Sequence, residues 1–314
     1  MARSANPRPV TGGMYVPVIT PFDDNEEIDF QKFEAHVRKV ADAGCGIVVM
    51  GTNGEAIHLS DSERKALVES ARKAAGDKPL IAGTGTGSMK ETIRHSKEAA
   101  AAGADMVIVI TPGYFGGAIA KDRQALKDFF HGVADASPVP VMIYNFPACA
   151  SGIDLDSDLL IDIASHPNVM GAKLTCSMIG KGARLVEAMS AKRPGFIVFG
   201  GFCDILLPAM MSGMHGCIAG TANFAPRTCV RLYETIKAAQ DSRSWDKLEE
   251  AQKLQGVVSR GDWAGAKGGI HGMKAFLNLG PARRPLPRAS KEQVAKLTEE
   301  LKEIMDMEKS LGGA

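Results

Sequence analysis

The sequence predicts a (β/α)₈ TIM barrel with a C-terminal helical extension. Eight short apolar runs, rich in Val and Ile, alternate with longer amphipathic stretches. Each run is too short for a helix and nearly continuous in hydrophobicity, the pattern of parallel strands buried on both faces. No G-x-G-x-x-G turn follows the first run, where an open doubly wound sheet would carry it. The length of 314 residues leaves room for a barrel of about 250 residues and one appendage.

The runs are Met14–Ile19, Gly46–Met50, Leu80–Ala82, Met106–Ile110, Val139–Tyr144, Val169–Lys173, Phe196–Phe199 and Cys217–Ala219. Helix starts stand between them. Ser60 with Glu63, and Ser88 with Glu91, read as capping boxes, in which a hydroxyl and a carboxylate satisfy the first free N–H groups. Asp29, Asp122 and Asp156 are caps for three more helices. Ala43-Gly44 and Ala102-Gly103 end helices just before a strand. Beyond the eighth run, Pro226–Gln240, Trp245–Arg260, Ile270–Leu279 and Ser290–Ser310 look helical. Gly280–Arg288, with three prolines, is a stiff connector. The domain reading is a tail over 1–12, a barrel over 13–240 and a helical appendage over 241–314.

Lys plus Arg number 37 and Asp plus Glu 36, a net charge of +1. So even a balance gives no sign of a nucleic-acid partner. No apolar run reaches the roughly 18 residues of a membrane span. The six cysteines form no C-x-x-C pair and stand near no His at ligand spacing, which reads as reduced, mostly buried thiols. Met1–Val10 holds two arginines, no acid and no apolar signal core, so it is a cytosolic tail or a short mitochondrial leader. A cytoplasmic location is the first expectation.

Such barrels carry their chemistry at the C-terminal strand ends and the loops beyond. Lys173 closes the run Val169-Met170-Gly171-Ala172. At a barrel mouth, desolvation favours the free amine, a nucleophile for ketones whose iminium product is an electron sink. The alternative is a solvent-facing lysine at a strand end. Tyr144 ends the preceding strand, within reach of Lys173, and either shuttles protons or caps the barrel core. Tyr114 has the same two readings. Gly51–Glu55 offers backbone N–H groups and the Thr52 hydroxyl, a turn suited to a small carboxylate. Gly83–Ser88 resembles a phosphate cradle but lacks the Lys of a P-loop and reads as the turn after the third strand. Glu55 is assigned a supporting structural role and His58 none. Asp23-Asp24 with Glu26-Glu27 reads as a solvated loop. No metal site is expected.

Gly51-Thr52-Asn53-Gly54-Glu55, Thr111-Pro112, Tyr144-Asn145-Phe146-Pro147, Gly171-Ala172-Lys173 and Gly200-Gly201, in this order, resemble the dihydrodipicolinate synthase / N-acetylneuraminate lyase family. The resemblance runs from about Tyr15 to beyond Leu286. It implies pyruvate-type Schiff-base chemistry on Lys173, no separate cofactor, and a homotetramer or homodimer. It implies that Tyr144 shuttles protons, that Thr52 links Tyr144 to Tyr114, that Thr52 and Asn53 hold the pyruvate carboxylate, and that Gly201 lines the pocket. Where the dihydrodipicolinate-forming members carry a carboxylate-gripping arginine, this chain has Cys149, and Gly113 interrupts their tyrosine pair. Thr175 looks more like the aldolases and is assigned to substrate binding. Gly54–Ser60, Ser151–Leu160, Lys173–Cys176 and Arg283–Leu286 resemble the fungal L-threo-3-deoxyhexulosonate aldolases, with 4-hydroxy-2-oxoglutarate aldolases similar nearly as closely. The expected activity is cleavage of a 4-hydroxy-2-oxo acid, a 2-keto-3-deoxy sugar acid first, to pyruvate and an aldehyde. Its rivals are 4-hydroxy-2-oxoglutarate cleavage, dihydrodipicolinate synthesis, dehydration of a 2-keto-3-deoxy acid, and a non-catalytic oxo-acid-binding barrel.

Overall fold

The computed structural model describes residues 7–312. Eight parallel strands close into one barrel: β1 (Gly13–Pro17), β2 (Gly46–Val49), β3 (Leu80–Gly83), β4 (Met106–Ile110), β5 (Val141–Asn145), β6 (Val169–Leu174), β7 (Ile197–Gly200) and β8 (Gly216–Ile218). Each pairs with the next, and β1 pairs with β8. Helices between strands are α1 (Phe30–Asp42), α2 (Asp61–Ala75), α3 (Met89–Ala101), the short α4 (Gly116–Ile119), α5 (Arg123–Ala136), α6 (Ser157–Ala164), α7 (Ile179–Ser190) and α8 (Leu206–Met211). After β8 come α9 (Pro226–Ser242), α10 (Trp245–Phe276), α11 (Lys291–Glu300) and α12 (Lys302–Ser310).

The continuous apolar runs divide between two cores. Tyr15, Val48, Ile81, Ile108, Met142 and Phe199 point into the barrel. Their neighbours Val16, Ile47, Leu80, Val107, Ile143 and Val198 pack outward among the helices. Period-two alternation with both faces buried keeps the strands apolar and leaves polar side chains, Tyr144, Asn145 and Lys173, to the C-terminal ends of β5 and β6.

The caps show how local chemistry sets the helix starts. Ser60 forms the complete box with Glu63. Ser88 makes only its half: it accepts from Glu91 N, while the Glu91 carboxylate is taken by Arg94 at 2.6 and 2.8 Å. A charge-assisted pair wins over a bond to a neutral N–H. Asp29, Asp122 and Asp156 each accept from a first-turn N–H. Gly44 and Gly103 turn the chain out of α1 and α3 at φ +99° and +112°.

The appendage departs from the sequence expectation in two ways. Trp245–Arg260 and Ile270–Leu279 are parts of one long element, α10, kinked at Gly269 (φ +62°). Only a residue without Cβ takes that backbone freely. The single helix expected over Ser290–Ser310 is two, meeting at Leu301. The tail expected over 1–12 is tied down in its described part: Arg8 N donates to Asp105 and its guanidinium pairs with Asp77. The remainder of that expectation, residues 1–6, lies outside the described residues.

Candidate active site

One cavity of about 260 Å³ opens at the C-terminal end of the barrel. Lys173, Tyr144, Thr52, Asn53, Thr175 and Gly201 all line it. Register explains the central pair. β5 and β6 run side by side with Tyr144 opposite Lys173, after a shift at Met142 that gives β6 one extra residue, Met170. A one-residue change of register moves a side chain to the other face of a sheet. The bulge therefore decides which β6 residue stands beside Tyr144.

Lys173 is 6% exposed. Its Nζ lies 4.2 Å from the centre of the Tyr144 ring. Among the described residues no carboxylate comes within ion-pair distance of it. The Tyr144 hydroxyl meets Thr52 Oγ1 at 3.4 Å. In the Gly51–Glu55 loop, the N–H groups of Gly54, Glu55 and Ala56 are consumed by carbonyls of Gly51 and Thr52. Those of Thr52 and Asn53 make no such bond among the described residues, so the two residues assigned to a carboxylate keep their donors. Gly220 makes room for Asn53: a Cβ there would stand 2.7 Å from Asn53 Nδ2. Gly201 does the same for Thr175, whose Oγ1 would meet a Cβ at 2.1 Å. The Cys149 thiol reaches Thr52, and burial pushes its pKa up.

Tyr114 stands apart from these residues. It is 87% exposed and stacks edge-on against Phe115 rather than meeting Thr52. It lines a separate apolar hollow with Ile119, Leu126 and Phe129. The cause is local: Gly113 packs against the Ala150–Ser151 backbone, and Tyr114 lies in the turn just before α4 with its ring at the surface. Within one chain the Thr52–Tyr114 link is not made.

Beneath the Thr52 loop lies a cluster that sequence reasoning half found. Glu55 is buried, as its supporting role requires, and pairs with Lys274 of α10 at 2.6 Å. It also accepts from Arg283 N at 2.9 Å and from His58 Nδ1 at 3.1 Å. His58, given no role, is thus a partner of Glu55. Lys274 itself is 0% exposed; burial pulls its pKa down, and Glu55 pulls it back up. The Arg283 guanidinium grips Glu63 and the Glu26 carbonyl. Glu26 and Asp24, read as a solvated loop, pair with Arg284 and Arg288 of the connector. The cluster bolts the appendage to the β2 loop.

The appendage also supplies a wall of the cavity. Asp262, Gly265, Gly269 and Met273 of α10 line it. Asp262 was missed by sequence reasoning, since nothing local marks an acid on an amphipathic helix. It is buried, accepts from the Thr221 hydroxyl and from Asp204 N, and burial raises its carboxyl pKa to about 7.

Comparison with known proteins agrees with this geometry. A profile described as the dihydrodipicolinate synthetase family matches residues 10–304. A protein of Emericella nidulans named as a probable mitochondrial 4-hydroxy-2-oxoglutarate aldolase is 42% identical over 97% of this chain and 98% of its own length. An L-threo-3-deoxy-hexylosonate aldolase of Hypocrea jecorina is 41% identical over 95% of this chain and 98% of its own. A crystal structure of a dihydrodipicolinate synthase family protein from Coccidioides immitis superposes with a TM-score of 0.85 at 33% identity, covering 96% and 98% of the two chains.

Proposed function

The chain belongs to the dihydrodipicolinate synthetase family, and on that premise we propose that it is a class I aldolase. It cleaves a 4-hydroxy-2-oxo acid, first a 2-keto-3-deoxy sugar acid such as L-threo-3-deoxyhexulosonate, to pyruvate and an aldehyde. The observation that carries this reading is a buried amine without a counter-ion, Lys173, facing the phenol of Tyr144 inside the cavity.

Thr52 and Asn53 take the C1 carboxylate on their free N–H groups. The Lys173 amine adds to C2, and loss of water leaves an iminium. Tyr144, in contact with Thr52, gives its phenolic proton to that departing water and, as the phenolate, takes the proton of the C4 hydroxyl. The C3–C4 bond breaks, its electron pair enters the iminium to give an enamine, and the aldehyde leaves. Protonation at C3 and addition of water at C2 release pyruvate and restore the amine. Positioning and the electron sink supply most of the rate, and proton transfer about 10²–10⁴-fold. The steps need no metal or cofactor, so activity should survive a chelator.

The test is to incubate the protein with pyruvate and borohydride, look for a covalent adduct by mass spectrometry, and assay pyruvate release from a panel of 4-hydroxy-2-oxo acids. A protein that binds pyruvate without an adduct would be a non-catalytic binder. The Emericella nidulans relative favours 4-hydroxy-2-oxoglutarate as the second substrate to try. The family resemblance supports a homotetramer or homodimer, which light scattering would check. Six free thiols fit a reducing compartment, the cytoplasm first, to be checked by cell fractionation. No helix among the described residues is long and apolar enough to cross a membrane.

A further inference from the structure

The aldolase reading leaves open what the cavity does with the rest of the substrate. Once Thr52 and Asn53 hold C1 and Lys173 holds C2, the leaving aldehyde must lie against the remaining walls. Those walls have a consistent chemistry. Among the described residues, Lys173 is the single cationic side chain that lines the cavity, and Asp262 the single acidic one. Thr175, Thr221 and Asn223 supply neutral polar groups. A second acid stands behind the first: Asp204 donates its N–H to Asp262 at 3.1 Å, and its own buried Oδ1 has no partner.

Two features mark this wall as made for a ligand. Thr175 Oγ1 is buried at the cavity and has no hydrogen-bond partner, although Thr175 is only 7% exposed. A buried hydroxyl left unpaired is costly, and a substrate hydroxyl would satisfy it. Asp262, in turn, is held rigidly from two sides, by the Thr221 hydroxyl at β8 and by the backbone after β7. Each carboxyl oxygen accepts one bond and keeps a second lone pair.

We propose that Asp262, oriented by Thr221 and seconded by Thr175, is the specificity-determining residue of the cavity and selects a neutral, polyhydroxylated aldehyde tail over one that ends in a carboxylate. This rests on the aldolase reading and sharpens it. Hydroxyl groups both donate and accept, so they suit a carboxyl in either protonation state as well as the unpaired Thr175 hydroxyl. A tail carboxylate finds no cation here. The ionised Asp262 repels it, and the protonated form offers it no counter-charge. A site built to hydrogen-bond substrate hydroxyls rejects analogues that leave its polar groups unpaired.

The test compares kcat/KM for L-threo-3-deoxyhexulosonate and 4-hydroxy-2-oxoglutarate in the full-length protein. The native protein should favour the polyol substrate at least about tenfold. Asp262→Asn, which keeps the shape and removes the charge, should cut that ratio by about tenfold or more, mainly by improving the carboxylate substrate. Thr175→Val should cut it by about tenfold through the polyol substrate alone, as expected for one lost hydrogen bond to a ligand. Thr221→Val, which frees Asp262 to turn, should move the ratio the same way and serves if Asp262→Asn does not fold. A native preference for 4-hydroxy-2-oxoglutarate, or an unchanged ratio in these variants, overturns the inference while leaving the aldolase standing. A native protein that forms no borohydride-stable adduct with pyruvate overturns both.

Discussion

Lys173 and Lys274 are both buried lysines at the same end of the barrel, and their surroundings are opposite. Lys274 is locked to Glu55 at 2.6 Å inside a cluster where Arg283 and His58 complete the bonds of the same carboxylate. Lys173 has a phenol ring at 4.2 Å and no acid. The first arrangement keeps an ammonium charged and makes it structural. The second leaves an amine unpaired, which is wasteful for stability and useful for chemistry. Burial alone therefore does not identify a reactive lysine; the counter-ion does.

The largest expected effect tests the reactive side of that contrast. Lys173→Met should abolish turnover and borohydride trapping, while its melting temperature stays level or rises, because an unpaired buried amine gives way to an apolar chain of similar length. A fall in melting temperature as large as that of Lys274→Met would erase the distinction. Next, Tyr144→Phe should lower kcat by about 10²–10⁴-fold while still trapping pyruvate. Full activity would leave proton transfer to another group. On the structural side, Lys274→Met strands the Glu55 carboxylate and should cost about 3–5 kcal/mol, read by denaturant unfolding, and protein that remains folded should still form the adduct.

The smallest effect lies in the pH profile and involves two buried groups at the same site. Burial pushes His36, bonded to Asn223 at 2.9 Å, down to about 4. Between about 6.5 and 4 the unfolded chain takes a proton that the fold refuses, so stability drops as pH falls. Asp262 works in the other direction. With its carboxyl raised to about 7, the fold keeps a proton that the unfolded chain has lost, and stability drops as pH rises from about 4 to 7. The two slopes nearly cancel. His36→Gln should uncover the Asp262 slope and Asp262→Asn the His36 slope in urea midpoints across pH 4–7. Parallel profiles in both variants would show that neither group is held as described.

Much of this was legible in the residues. The strand runs, the Asp caps and the Ser60–Glu63 box are local signals, and each formed because the bonds involved span only a few residues. The motif loops at the strand ends placed Lys173, Tyr144, Thr52, Asn53, Thr175 and Gly201 in one cavity because a closed parallel barrel brings those ends together. Tyr114 stays outside that cavity in the single chain, because its motif says which loop it is on and not which way its ring points. Asp262 and Lys274 were unseen, and Arg283 was read only as part of a motif, because their partners, Thr221, Glu55 and Glu63, lie far away in the chain.

By itself, then, the sequence determined the barrel, its strand ends and the lysine that stands at the C-terminal end of β6. The tertiary structure alone decided that Met170 bulges to set Lys173 beside Tyr144, that Lys274 is paired and Lys173 is not, and that a C-terminal helix walls the cavity with an acid. The reason is the range of the forces. Hydrophobic periodicity and capping act within a few residues, whereas a counter-ion or a cavity wall exists only once distant segments have packed.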